Sequence, residues 1–467
     1  MAQRWKVLLI VSVGLFMSSL DLFIVNIAFP DLARSFDGAS LPSLSWVLNA
    51  YAIVFAALLV PAGRIADRVG RKRVFVLGLL TFSAASALCA LAPSIPFLVA
   101  ARVLQATGGA MMLPTTLGLI LPAFPVEQRA MAIGIWSAIS GVAAALGPPV
   151  GGLLVQLSWH WIFLVNVPIG IVTAVLAVRV LDEVREPEDG RPDLLGAAML
   201  ALGIGLLTLG IVKGPDWGWG DPRDLAAFAA AIALVAGFVF RSARHHSPVI
   251  ELPLLRVRSF ALANLATLVF FAGFGAMLLS GVLLLTEVWG YSTLKAGFAL
   301  SPGPLMAAAF AIPSGRLGGR IGQRPIAASG GLVFAASFAW MLATVGPEPE
   351  YATTFLPGFM LGGAGVGMAL GTLPAAAASE LPPSRLATGT AVFGMGRQLG
   401  SAIGVAVLVA LLNDSIGGNL LSGLQRGWWF AFGTGLGTAA LALALPALRD
   451  RAPKRASAPV EAAIERL

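Results

Sequence analysis

The chain has 467 residues, of which 57% are hydrophobic and only 12% are charged. Soluble domains carry about 25% charged residues, so the composition excludes an ordinary water-soluble protein. Apolar runs of about 18 residues or more recur along the chain, and lipid forces such runs to be helices. The net charge of +8 would fit a nucleic-acid partner, but the positions of the basic residues exclude one, as shown below.

Fourteen apolar segments are predicted to cross the membrane, arranged as six, two and six. The first six are 7–29, 45–62, 74–92, 96–121, 130–155 and 161–181; two central spans are 194–212 and 225–241; the last six are 260–286, 296–314, 325–344, 352–375, 387–412 and 427–448. We expect an N-terminal six-helix bundle (1–181), a linker with two additional spans (182–258), a C-terminal six-helix bundle (259–448) and a disordered cytoplasmic tail (449–467).

The basic residues predict the orientation. Of 31 Lys and Arg residues, 24 fall in segments on the side of the N-terminus, and two, Arg102 and Arg397, lie inside spans. The outer loops hold the remaining five, Arg34, Lys213, Arg223, Lys295 and Arg426. The positive-inside rule therefore places both termini in the cytoplasm of a multi-pass protein in the inner (plasma) membrane, and explains the basic balance without nucleic acid.

An internal repeat supports two related halves. The segment Gly63–Arg73 matches the segment Gly315–Pro325 at a shift of 252 residues, with glycines and an arginine at equivalent places. Transporters built from duplicated halves place substrate near the membrane midplane between them.

Charged side chains inside spans are candidate functional groups, because a charge at the bilayer centre costs about 2.5–3.5 kcal/mol on insertion scales. Asp21 is the one carboxylate well inside a predicted span, and Arg102 lies at similar depth in helix 4. We expect them to approach each other or to share a polar cavity. Two interpretations stay open, a static ion pair that fixes helix packing and a carboxylate that binds and releases a proton.

Further polar residues within spans are possible substrate contacts. They are Asn26, Gln105, Asn166, Asn264, Glu287 and Arg397. Each amide could equally join neighbouring helices, and Glu287 could be an interfacial acid wetted by the outer loop. A single cysteine and scattered histidines give no metal-ligand constellation, so no metal and no cofactor are expected.

Several segments together resemble the major facilitator superfamily, and in particular its fourteen-span drug:proton antiporter family. The matching positions are Leu20 to Pro30; Gly63, Asp67, Arg68, Gly70 and Arg71; Arg102, Gln105, Gly108 and Gly109; Gly141, Gly147, Pro148, Gly151 and Gly152; and Arg397 to Gly400. The departures are His160 in place of arginine and Gly319 in place of an acid. The resemblance implies an all-α major facilitator fold of two six-helix bundles with two extra central helices.

The resemblance also implies roles. Asp21 and Arg102 would couple transport to protons, and the Gly63–Arg71 cluster would be a conformational latch. The glycine- and proline-rich stretch of helix 5, from Gly141 to Gly152, would be the antiporter motif, which marks export. The expected function is proton-coupled export of small hydrophobic or amphipathic compounds such as drugs, dyes and antibiotics, by a monomer in the lipid bilayer.

Three alternatives are weighed against this function. A dedicated exporter of an endogenous metabolite or siderophore has the same sequence features. A solute importer of the same fold is disfavoured by the helix 5 stretch. A membrane-embedded enzyme is disfavoured because no nucleophile, zinc or phosphate-loop motif occurs.

Overall fold

A computed structural model describes residues 3–36, 38–185, 192–381, 385–413 and 419–446. The predicted tail, 449–467, lies outside these ranges. Within them the regular structure is helical. The long helices are α1 Gln3–Ile27, α2 Leu41–Val69, α3 Arg71–Ala90, α4 Ile95–Ala123, α5 Val126–Leu157, α6 Trp161–Val180, α7 Leu194–Trp217, α8 Pro222–Ser242, α9 Arg258–Val288, α10 Thr293–Ile321, α11 Gln323–Thr344, α12 Tyr351–Ala378, α13 Leu386–Asn413 and α14 Leu420–Leu443.

Thirteen helices in the described ranges are long and apolar enough to cross a membrane. The remaining long helix, α14, begins before the predicted span at 427 and includes the polar pair Gln425 and Arg426. It packs along α9 and α11, and it buries Leu424 and Trp428 there. The all-α membrane fold is thus confirmed, whereas a count of fourteen spans stays a prediction.

The repeated segments fall between predicted spans, which end at 62 and 314 and begin again at 74 and 325, yet the structure shows them to be helical almost throughout. Helix α2 continues to Val69 and α10 continues to Ile321, so that each is followed by a single glycine and then by the next helix. Those glycines, Gly70 and Gly322, have φ of 127° and 102°, a region that side chains with a Cβ avoid. They are separated by the same 252 residues as the sequence repeat. The charged residues do not end the helices because they emerge from the bilayer, where water solvates them.

Two bundles, α1–α6 and α9–α14, meet along two seams. Helix α2 packs on α13 at one seam, and α5 packs on α10 at the other. Helix α7 lies outside the first seam, in contact with both α2 and α13, and α8 packs on α7. The additional pair therefore covers one seam on its outer side and leaves the space between the bundles open.

The halves are closed at one membrane face and separate toward the other. At the predicted outer face, Thr293 Oγ1 donates to Asp31 Oδ2 at 2.6 Å. Toward the predicted inner face, a Cβ added at Gly134 of α5 or at Gly319 of α10 would meet nothing within 4 Å. The conformation is consequently open at the face that we predict to be cytoplasmic.

The α2–α13 seam stays linked near the inner face. Glu251, in the segment before α9, accepts from Arg385 Nη1 at 2.7 Å and from Arg64 Nη2 at 3.4 Å. These arginines belong to different halves, so the opening is confined to the α5–α10 seam.

Candidate functional site

A buried polar cluster in the N-terminal half contains both predicted intramembrane charges. Arg102 Nη1 donates to Asp21 Oδ2 at 2.5 Å, and both side chains are fully buried. Gln105 Nε2 donates to Asp21 Oδ1 at 2.9 Å, and Asn166 Nδ2 reaches the same oxygen at 3.4 Å. The carboxylate therefore accepts from three donors on α4 and α6, two helices that each pack on α1.

Helix geometry explains how α4 supplies two of these donors. Arg102 and Gln105 are three residues apart and so project from the same face of α4. Their side chains also contact each other, since Arg102 Nη1 donates to Gln105 Oε1 at 2.6 Å. The structure thus brings Asp21, Arg102, Gln105 and Asn166 into one cluster, which the sequence predicted only for the first two.

The cluster has further members that sequence reasoning missed. Arg102 Nε donates to the Val47 carbonyl at 3.1 Å, and its guanidinium lies 4.1 Å from the centroid of the Tyr51 ring. Ser86 Oγ accepts from Gln105 Nε2 at 2.9 Å. Small and aromatic residues are common in apolar helices, so their residue types alone did not mark them as members of a site.

The cluster is closed to both membrane faces in this conformation. Asp21 is 1% exposed, and Arg102, Gln105 and Tyr51 are 0% exposed. Arg102 Nη2 has no hydrogen-bond partner, so the guanidinium retains a donor that a rearranged cluster or a water molecule could use. Protonation of Asp21 would remove the negative charge that holds Arg102.

Other carboxylates lie at the ends of the central pair. Asp224 is buried in the first turn of α8 and has no partner for either oxygen. Asp216, in the last turn of α7, accepts from Lys213 Nζ at 2.9 Å and from the amide of Asn413 in α13. Both are near a helix end, whereas Asp21 lies six residues inside α1, about 9 Å.

The remaining predicted contacts lie away from the cluster. Asn26 and Asn264 each donate to a carbonyl of their own helix, and the Oδ1 atom of each is buried without a partner. Glu287 is exposed at the outer end of α9, and Arg397 is exposed at mid-depth of α13. These four residues are not brought together with Asp21.

The predicted latch residues join three helices near the inner face. Arg71 Nε donates to Asp67 Oδ1 at 2.7 Å, and Arg71 Nη1 donates to the Gly118 carbonyl of α4 at 3.2 Å. Gly63 packs on Pro114 of α4. Arg68 is exposed. Asp67 and Arg71 therefore tie the α2–α3 connection to α4.

Gly70 has a separate partner in the segment after α6. A Cβ at Gly70 would lie within 3.0 Å of the Glu183 carboxylate. The same carboxylate accepts from the Lys72 backbone N–H at 3.0 Å and pairs with Arg73 at 3.6 Å. The end of the N-terminal bundle is thus fastened to the latch.

The glycine and proline stretch of α5 packs on both halves. Cβ atoms at Gly147 and Gly151 would clash with Phe23 and Ile27 of α1. A Cβ at Gly152 would meet the backbone of Leu294 in α10 within 3.0 Å. Small residues allow this close approach, so the stretch forms the outer part of the α5–α10 seam.

Between that contact and the N-terminal ends of α1 and α5, the two helices border an apolar groove of about 370 Å³. Its lining residues are Trp5, Leu8, Leu9, Ser12, Val13, Phe16, Ile135 and Ile139. The face of α1 that lines it is opposite Gly14, which packs on Phe75 of α3. The groove therefore lies on the side of α1 that faces away from α3.

Comparison with known proteins gives the family. The model described as the Major Facilitator Superfamily matches residues 11–404 and 265–466. A probable actinorhodin transporter of Streptomyces coelicolor is 35% identical over 91% of this chain and 75% of its own length. The multidrug resistance protein Stp of Mycobacterium tuberculosis is 35% identical over 90% of this chain and 78% of its own length. The tetracenomycin C resistance and export protein of Streptomyces glaucescens is 33% identical over 89% of this chain and 77% of its own length.

Solved structures share the fold at low identity. A D-xylose-proton symporter matches with a TM-score of 0.70 at 13% identity, over 95% of this chain and 98% of that one. A bacterial homolog of the human lysosomal transporter Spinster matches with a TM-score of 0.67 at 16% identity, over 95% of this chain and 96% of that one. Sequence match, fold and the paired bundles agree, and the chain is a membrane transporter, not an enzyme, that belongs to the major facilitator superfamily.

Proposed function

We propose that this protein exports small, largely apolar compounds in exchange for protons, by alternating access between two six-helix bundles in a fourteen-span chain. The observation that carries the proposal is the Asp21–Arg102 pair. It is a fully buried ion pair in the membrane interior, and because a charge there costs free energy, such residues are rare and are candidates for function.

The coupling step follows from the cluster. In the inward-open conformation Asp21 is ionised and bound by Arg102, Gln105 and Asn166. When the outer face opens, water reaches the cluster and Asp21 accepts a proton, which removes its attraction for Arg102 and loosens α1 from α4. Return to the inward-open state restores the pair and releases the proton to the cytoplasm.

The available energy suffices for export against a gradient. One pH unit is equivalent to about 1.4 kcal/mol per proton, and 100 mV adds about 2.3 kcal/mol per charge. Together they could sustain roughly a several-hundred-fold gradient of a neutral compound per proton, since 1.4 kcal/mol is about tenfold.

Two features support apolar cargo and its direction. The groove between α1 and α5 is lined by apolar side chains apart from Ser12, and its lining residues lie in the parts of α1 and α5 nearest the predicted inner face, where a compound from the cytoplasm or the inner leaflet would enter. Two of the relatives named above are described as a multidrug resistance protein and as a resistance and export protein. We therefore favour export over import.

A dedicated exporter is the second candidate. Two of the named relatives are described by single compounds, actinorhodin and tetracenomycin C, whereas Stp is described as a multidrug resistance protein. A single endogenous compound would use the same cluster and the same groove.

Inside-out vesicles from cells that overproduce the protein test the coupling. Respiration acidifies the vesicle interior, and a pH-sensitive dye reports proton release when a candidate dye or antibiotic is added. Wild type should release protons on addition, and Asp21→Asn should not. Asp193→Asn is the matched control, because Asp193 is also a buried partner of an arginine, Arg241 at 2.6 Å, but in the central pair.

The control should respond like wild type. An equal response of Asp21→Asn and wild type would disprove the role of Asp21. A response to one natural product alone, with none to a panel of unrelated dyes, would favour the dedicated exporter.

A further inference from the structure

Arg397 is a charged residue in the C-terminal half that the coupling step does not use. It lies 11 residues from the inner end of α13, about 16 Å, which is near the middle of a bilayer core of about 30 Å. It is exposed. Its guanidinium lies 5.0 Å from the centroid of the Phe271 ring, and among the described residues it has no ion pair or hydrogen bond.

The packing of α13 shows which way Arg397 points. Gly394 packs on Leu59 of α2, and Gly400 packs on α9. Ala402 packs on α2 where α7 covers the seam. At 100° per residue, Arg397 is about 140° around the helix from Ala402 and lies in the sector between the α2-facing and α9-facing sides. The side chain therefore projects into the space between the halves, away from α7.

An unpaired cation at this depth poses an energetic problem for alternating access. In the inward-open conformation water in the space between the halves can solvate Arg397. When both faces are closed during the transition, that water is reduced, and an isolated buried charge is costly. Asp21 cannot neutralise it, because Asp21 is bound to Arg102 within the other half.

The chemistry of the side chain fits an anion. The ring of Phe271 supports one side of the guanidinium, and a planar guanidinium presents N–H donors in a fork that matches carboxylate and sulfonate geometry. Nearby, the buried Oδ1 of Asn264 lacks a donor, and the Asn264 backbone lies 3.7 Å from a Cβ placed at Gly396. Asn264 Oδ1 could accept from a neutral hydroxyl or N–H group of a ligand, whereas an anionic group would bind Arg397, which has no carboxylate partner within the described part of the chain.

We propose that Arg397 binds an anionic group of the cargo, so that the preferred compounds are amphipathic acids: an apolar body that carries a carboxylate, sulfonate or phenolate. This inference rests on the proposed export function and narrows its substrate class. The cargo anion then supplies the counter-charge of Arg397 in the occluded state. A neutral compound of the same shape lacks that contribution.

A matched pair of dyes tests the inference. Anilinonaphthalene sulfonate and N-phenyl-1-naphthylamine share an apolar body and differ by one sulfonate. Fluorescence titration of the full chain in lipid nanodiscs, corrected with empty nanodiscs, gives both dissociation constants. Wild type should bind the sulfonate at least about tenfold more tightly, Arg397→Gln should lose this preference with unchanged affinity for the neutral dye, and Arg397→Lys should retain part of it.

Arg244→Gln is the control, because Arg244 also lies over a phenylalanine ring, Phe240 at 3.7 Å, but it is outside the inter-half space at the end of α8. It should keep the full preference. Equal affinity of wild type for both dyes, failure to bind the sulfonate, or an unchanged preference in Arg397→Gln would each overturn the inference. The export proposal is judged separately, by proton-coupled movement of either dye in inside-out vesicles.

Discussion

Removal of the Asp21–Arg102 ion pair, one partner at a time and then together, separates its structural role from its coupling role. Both side chains are fully buried, and Arg102 Nη1 lies 2.5 Å from Asp21 Oδ2. Asp21→Asn leaves Arg102 as an uncompensated cation, and Arg102→Gln leaves a buried carboxylate with amide donors alone. Loss of one partner of a buried ion pair lowers the free energy of unfolding by about 3–5 kcal/mol.

The double variant leaves no buried charge. The free energy of unfolding should fall by only about 1–2 kcal/mol, because only imperfect hydrogen bonds remain in the cluster. The double variant should therefore be more stable than either single variant. The coupling energy, which is the sum of the two single losses minus the loss in the double variant, should therefore be at least about 4 kcal/mol, above the usual range for residues in contact. The measurement is unfolding of the purified protein in mixed micelles titrated with a denaturing detergent.

Transport by the same variants completes the experiment. If Asp21 carries the proton, the double variant is folded but gives no gradient-driven efflux. Additive losses in stability would refute the assignment of a tightly coupled pair. Proton-coupled efflux by the stable double variant would show that the pair is only a packing device.

Two further predictions concern helix contacts. Gly367→Ala should lower the free energy of unfolding by about 1–3 kcal/mol through overpacking, because its Cβ would lie within 3.0 Å of the α10 backbone. Gly433→Ala is the control, because a Cβ there would meet nothing within 4 Å, and it should have little effect. Thermal unfolding of both variants gives the comparison. Cysteines at Asp31 and Thr293, whose side chains are 2.6 Å apart, should form a disulfide on oxidation in a background without the natural cysteine. That disulfide should stop transport until it is reduced, and transport that continues while the cross-link is complete would contradict closure of the outer face as part of the cycle.

The polar cluster shows where sequence reasoning was sufficient and where it was not. Asp21 and Arg102 could be identified because lipid penalises charge, which makes a lone carboxylate in an apolar run conspicuous. Tyr51 and Ser86 could not, because aromatic and small polar residues occur throughout such helices at little cost. Their roles depend on α2 and α3 lying beside α4, which no local pattern encodes.

The repeated segments give the same lesson about boundaries. Their charged residues placed the predicted ends of the spans at 62 and 314, yet α2 and α10 remain helical to Val69 and Ile321 and are followed by Gly70 and Gly322. Hydropathy reports where a chain leaves lipid, whereas backbone conformation decides where a helix ends. These two limits coincide only when a residue with unusual φ lies at the membrane surface.

The sequence alone determined the helical membrane class, most of the spans and the buried carboxylate, because the bilayer imposes one dominant and local rule: apolar side chains in lipid, with every backbone group hydrogen-bonded. Tertiary structure decided which polar groups share a site, which seam is open, and that Arg397 faces the space between the halves rather than lipid or a carboxylate. Those properties depend on the rotation of each helix and on its neighbours, and the apolar faces toward lipid and toward protein are nearly alike in composition.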